Sequence, residues 1–254
     1  MKLHFTKFGS GRPLLILHGV FGSSDNWKTI GNALSAQHEV YLIDQRNHGL
    51  SPHSDAFNYQ LMTADLLALM DREGIDQADL MGHSMGGKTV MNFATLHPDR
   101  VVQLVVVDIA PKYYPPHHEN IFAGFHSLVL DEMSTRKEAD TKLAQTIKEP
   151  VIRQFLLKNL HRELDGTFSW KINFEAIEKN MDQIGAALRP DQLFEGPTLF
   201  LRGANSDYIE HEDERLLKTH FPNAKLVSIA GAGHWIHAEQ PEILKRTLEN
   251  FLTK

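Results

Sequence analysis

The sequence predicts an α/β fold, a doubly wound and mostly parallel sheet with a helical cap inserted into it. Three observations predict it. Several short runs rich in Val, Ile and Leu end abruptly in a polar residue or a glycine. Segments with helical spacing lie between those runs. From about Pro111 to Gln192 the rhythm stops: that stretch is charged and helix-like, with no convincing buried strand. Continuous apolar runs suit strands covered on both faces. Strands alternating with helices argue for parallel neighbours joined by crossovers.

The elements follow in chain order. Met1 to Phe8 alternates like a first strand and lacks the apolar core of a signal peptide. Pro13 to Leu17 is apolar and ends in His18-Gly19; Glu39 to Ile43 ends in Asp44. Tyr59 to Glu73 has helical spacing. Ala78 to Met81 is a short apolar run before Gly82-His83-Ser84-Met85-Gly86, and Lys88 to Leu96 then reads as a helix stopped at His97-Pro98. Val101 to Val107 ends in Asp108. The cap segment opens with Pro111, Pro115 and Pro116 and closes near Arg189-Pro190. Thr198 to Leu201 ends in Arg202-Gly203, Lys225 to Ile229 ends in Ala230-Gly231, and Pro241 to Leu252 reads as a last helix. The expected division is a core of residues 1–110 and 193–254 with a cap of residues 111–192.

Composition narrows the function classes. A chain of 254 residues is long enough for one large α/β domain with an insertion. Its net charge of −6 gives no case for a nucleic-acid partner, and no apolar run approaches a membrane span. The absence of cysteine removes disulfides, thiolate zinc sites and a cysteine nucleophile, and makes the cytoplasm the expected location. The 15 histidines are scattered without metal-ligand spacing, so neither metal nor cofactor is expected.

The chemistry sits on the strand ends, where open α/β sheets bind ligands. Gly82-His83-Ser84-Met85-Gly86 has the G-x-S-x-G form of a nucleophile elbow, with a strand before it and a helix after it. Ser84 is the candidate nucleophile, and a serine hydroxyl needs a base to remove its proton. His234, in Gly231-Ala232-Gly233-His234-Trp235 after the last strand, is the candidate base, with His237 its rival. Two carboxylates could orient that imidazole, Asp108 and Asp207; both follow a strand and both keep the order Ser, Asp, His. The tight turn His18-Gly19-Val20-Phe21-Gly22 can aim a backbone N–H at the serine, so the N–H groups of Val20 and Met85 are the candidate oxyanion hole. Arg46 and His48, in Asp44-Gln45-Arg46-Asn47-His48-Gly49, are expected to support the site by hydrogen bonding. Phe21, Phe122, Phe125, Phe155 and Trp235 are the expected apolar contacts to substrate.

H-G-V-F-G, D-Q-R-N-H-G-L-S, G-H-S-M-G-G-K and A-G-A-G-H-W-I-H-A-E, in this order, resemble an α/β-hydrolase. More narrowly, the sequence is similar to the YbfF-type bacterial esterases and their abhydrolase relatives. The D-x-R-N-H-G-x-S form, Lys88, Val107-Asp108-Ile109-Ala110-Pro111 and Phe155-Leu156-Leu157-Lys158 match that subgroup. The resemblance implies an α/β-hydrolase fold and a serine hydrolase acting on carboxylic esters, with acyl-CoA thioesters as a second substrate class. It also implies that the triad acid is Asp108, although the aspartate at 207 departs from the subgroup pattern. The expected partner is a small-molecule ester or thioester, and the expected state a monomer or homodimer. Two other classes compete. A lyase or synthase of the menaquinone-pathway type would call for clustered cap arginines, for which Arg136, Arg153 and Arg162 are the candidates. An intact Ser84 and His234 argue against a non-catalytic ligand receptor, although some receptors on this fold retain such a pair.

Overall fold

A computed structural model describes residues 1–252. Seven strands among them form one sheet: β1 (Phe5–Gly9), β2 (Arg12–Leu17), β3 (His38–Ile43), β4 (Ala78–His83), β5 (Val101–Val107), β8 (Thr198–Gly203) and β9 (Ala224–Ile229). Their spatial order is β1-β3-β2-β4-β5-β8-β9. β1 runs antiparallel to β3, and every other pairing in this sheet is parallel.

The apolar runs are continuous because both faces are covered. Leu15, Leu17, Leu80, Leu104, Val106 and Phe200 point to one side, where α2 (Tyr59–Glu73), α3 (Met85–Leu96) and α9 (Asp213–His220) supply Leu66, Phe93 and Leu217. Leu14, Ile16, Met81, Val105, Leu199 and Leu201 point to the other, against α1 (Lys28–Leu34), α10 (Ile236–Glu239) and α11 (Pro241–Leu252). Removing one such fully buried leucine side chain costs about 2–5 kcal/mol.

Local signals set the helix ends. Asn58 caps α2 by accepting from the Leu61 N–H, and Gly74, at φ 67°, closes it in the left-handed region. α3 ends at His97, one residue before Pro98.

Between β5 and β8 the chain runs through α4 (Glu119–His126), α5 (Arg136–Leu143), α6 (Pro150–Leu157), the strands β6 (Leu160–Arg162) and β7 (Phe168–Trp170), α7 (Phe174–Lys179) and α8 (Met181–Gly185). The hairpin of β6 and β7 corrects the expectation of a stretch without strands. It escapes sequence reading because each strand is only three residues long, with a single buried apolar residue in each, Leu160 and Phe168. These elements share a core of Phe125, Leu143, Leu156, Leu160 and Ile177, joined to the sheet through Phe21, Phe57 and Met85.

Polar ties also seat this block. Asn173 N–H donates to the Asn47 carbonyl, Asn159 Nδ2 to the Phe21 carbonyl and the Tyr59 hydroxyl to the Ile184 carbonyl. The Nζ of Lys88, on α3, donates to the carbonyls of Lys112 and Ala186, one on each side of the helical block. Lys88 is buried with no carboxylate beside it, and burial lowers its pKa from 10.5 to about 7. Between those two values the unfolded chain holds a proton that the folded chain lacks, so this group's contribution to stability rises as pH climbs. Lys88→Met is therefore expected to flatten the pH dependence of unfolding free energy between pH 7 and 10 by up to ~1.4 kcal/mol per pH unit. Urea titrations across that range check it; equal slopes in both proteins would refute it.

Candidate active site

The polar edge of the sheet is built from its strand-to-helix turns. Ser84 directly follows β4 and stands at φ 52°, ψ −118°. Its N–H donates to the Val107 carbonyl, and its own carbonyl accepts from Lys88 N–H. The glycines around it are required by contact. A Cβ on Gly82 would lie 2.2 Å from the Gly86 carbonyl oxygen, and one on Gly86 would lie 2.5 Å from that of Leu17. Strand, elbow and helix thus pass too close for any side chain at either position.

Asp108 directly follows β5, also at a positive φ of 52°, and is wholly buried. Its N–H donates to the Leu201 carbonyl, tying it to β8. Oδ1 accepts from the Gly203 N–H at 2.9 Å. Oδ2 accepts from Ser206 Oγ at 2.5 Å and lies 2.8 Å from His234 Nδ1. The imidazole thus donates from Nδ1 to the carboxylate, which leaves Nε2 free to act as a base. Of the two candidate acids, Asp108 is the one brought to His234; Asp207 is exposed on the following loop.

His234 and Ser84 line one cavity of about 260 Å³, together with Val20, Phe21, Phe155 and Trp235. Neither the Val20 nor the Met85 N–H donates to a protein acceptor among the described residues. Met85 opens α3, so its N–H is one of the free donors of a helix N-terminus. The Val20 turn is held in place by its neighbours. His18 Nε2 accepts from Gln45 N–H, and Gln45 Nε2 donates to the His18 carbonyl at 2.7 Å. Phe21 N–H donates to His48 Nε2, whose ring donates from Nδ1 to the Arg46 carbonyl. These bonds need neutral imidazoles. Burial pushes His18 down and His48 well below the usual histidine range, which secures that form. Arg46 pairs with Asp65 at 2.6 Å beneath this layer.

His237 also lines the cavity, but its ring stacks on Trp27 with centroids 4.6 Å apart, and burial lowers its pKa to about 4. The apolar contacts divide. Phe155 and Trp235 line the cavity with rings 6.0 Å apart. Phe122 and Phe125 do not; both are buried behind Phe21 in the core of the helical block. On α4 the half-buried Ile121 lines the cavity, one residue from the expected phenylalanine. An open apolar groove of about 710 Å³ continues outward past Ile152, Phe155, Trp235 and His237, bordered by Val151. Arg136 and Arg153 bond to carbonyls and to Asp140 within the helical block, and Arg162 lies over Phe168; none of the three lines the cavity.

Sequence reading missed Ser206 and Tyr208. Both sit in the polar loop after β8, where nothing in the local pattern separates a residue bonded to Asp108 or stacked on His234 from an ordinary loop residue. No helix among the described residues is long and apolar enough to cross a membrane, and no group of histidine and carboxylate side chains among them could hold a metal ion.

A family model described as the alpha/beta hydrolase fold matches residues 12–241. The chain is 40% identical over 250 residues to a Xenopus laevis protein named sn-1-specific diacylglycerol lipase ABHD11, covering 95% of this chain and 80% of that protein. It is 37% identical over 241 residues to Esterase YbfF of Escherichia coli strain K12, covering 94% of this chain and 92% of the relative. A solved structure titled Marine microorganism esterase superposes with a TM-score of 0.96 at 46% identity, covering 99% of both chains.

Proposed function

The chain belongs to the α/β-hydrolase family, and on that premise we propose that it is a serine carboxylester hydrolase working through an acyl-enzyme on Ser84. The observation that carries this reading is the 2.8 Å contact between His234 Nδ1 and buried Asp108, with Ser84 facing the same cavity as the imidazole. In the first half-reaction His234 Nε2 takes the Ser84 proton as Oγ attacks the ester carbonyl. The N–H groups of Val20 and Met85 receive the oxyanion. Collapse expels the alcohol, which takes the proton back from His234. Water then repeats the sequence to release the acid.

The relatives named esterase and diacylglycerol lipase support an ester substrate, and the apolar groove beyond Phe155 and Trp235 supports an aliphatic one. Acyl-CoA thioesters are the second substrate class we propose, since the same attack expels a thiol. We read residues 111–192 as a cap over the core of 1–110 and 193–254, and we place the enzyme in the cytoplasm. The cap arginines Arg136, Arg153 and Arg162 lie away from the cavity, which lends no support to a polyanion-handling lyase.

Fluorophosphonate labelling followed by a p-nitrophenyl ester panel tests the reading; covalent modification of Ser84 and turnover of the panel are expected. Labelling elsewhere with no turnover would overturn it. Within the panel, Phe155→Ala is expected to change the ratio of kcat/KM for long over short acyl chains by roughly tenfold, the scale on which apolar pockets discriminate. Its melting temperature should move little, because Phe155 is only half-buried. An unchanged chain-length profile would place the acyl site elsewhere.

A further inference from the structure

We propose that Tyr208 is a positioning residue that holds the plane of the His234 imidazole by stacking on it. The inference rests on the reading of Ser84, His234 and Asp108 given above. His234 rides on a loop that contains Gly231, at φ 71°, and Gly233, so its backbone supplies little rigidity. A single hydrogen bond from Nδ1 to Asp108 fixes where the ring points and leaves it free to roll about that bond. The Tyr208 ring removes this freedom. Its centroid lies 3.9 Å from that of His234, with the planes 16° apart.

Tyr208 is itself held from several directions. Its hydroxyl meets His117 Nε2 at 2.9 Å, its ring stacks on Tyr114 at 5.5 Å, and its carbonyl accepts from the Tyr114 hydroxyl. Its N–H donates to Ser206 Oγ at 3.3 Å, the same oxygen that donates to Asp108. One loop therefore grips both members of the carboxylate–imidazole pair. A second ring beside the imidazole, His83, lies 4.6 Å away and donates from Nε2 to the His234 carbonyl. The Tyr208 face also presents electron density to the imidazolium that forms when His234 takes the serine proton.

Position and hydroxyl make different predictions. Tyr208→Phe keeps the flat face and should retain near wild-type kcat. Tyr208→Leu removes the face, and kcat should fall by about 10²-fold, the loss expected when a reacting group is slightly misplaced; KM should move far less. Equal losses in the Phe and Leu variants would assign the effect to the hydroxyl and overturn the proposal, as would full turnover in Tyr208→Leu. NMR supplies a readout that needs no leucine variant. In the wild type and in Tyr208→Phe the His234 Cε1–H resonance should lie upfield from the ring current of the stacked face, and its absence in both would also refute stacking. Fluorophosphonate labelling of wild-type Ser84 separates the two levels. Labelled Ser84 with no ring-current shift removes Tyr208 alone, whereas unlabelled Ser84 removes the triad on which the proposal rests.

Discussion

Ser84→Ala is expected to lose on the order of 10⁶ in kcat toward a simple aryl ester, the scale seen when a triad serine is removed. The motive is structural as well as sequential. Ser84 is held at a positive φ by an N–H bond to Val107 and by glycines that admit no Cβ on either side, an arrangement whose use is to lift a hydroxyl above the sheet. The alanine variant should fold as the wild type does, since the backbone bonds survive and only Oγ leaves. Steady-state rates and intact-protein mass after fluorophosphonate treatment check the result together. Turnover within tenfold of wild type would end the covalent mechanism.

The elbow was legible in the sequence because the requirement is steric and falls on residues that are contiguous in the chain. Gly82 is demanded by Gly86, four residues on, and Gly86 by the carbonyl of Leu17 on the neighbouring strand, so both glycines belong to one turn and the pattern of residue types carries the geometry. The strand ends were legible for a related reason: burial on both faces makes each strand an apolar run, and the first polar residue after it marks the edge of the sheet. What the sequence left open depends on contacts between distant segments. Asp108 and Asp207 both follow strands, and only the pairing of β5 with β8, together with the bonds from Gly203 and Ser206, decides which carboxylate reaches His234. The facing of Ile121 rather than Phe122 toward the cavity depends on how α4 rotates on its neighbours. Gly124 is part of that fit, since a Cβ there would come within 3.0 Å of Leu143. The hairpin of β6 and β7 is too short for its period to show.

Asp108→Asn is the second large effect, with an expected loss of about 10⁴ in turnover. Gly203 N–H needs an acceptor at the Oδ1 position, so the asparagine carbonyl should take that place. Its NH₂ group then faces His234 Nδ1 where Oδ2 had been, and a donor there favours the tautomer with the proton on Nε2. That imidazole cannot accept from Ser84. Asp207→Asn, on an exposed loop position, should leave turnover nearly unchanged. Parallel kinetics on the two variants decide between the acids, and a larger loss at 207 than at 108 would reverse the assignment.

Phe21, Asn47, Ser84 and Asp108 are the non-glycine residues with positive φ among those described, and they come just after β2, β3, β4 and β5 in turn. Each such backbone costs on the order of 1–3 kcal/mol, which glycine would relieve. The consequence is evolutionary. At Ser84 folding and turnover pull in opposite directions, whereas the side chains of Phe21, Asn47 and Asp108 also pack or bond within the fold. A descendant lineage released from selection for activity would gain stability by drifting to glycine in place of Ser84, and would keep its sheet while losing its chemistry. Among homologues that share this fold, glycine in place of Ser84 would therefore mark a protein that has traded its enzyme work for some other use of the scaffold.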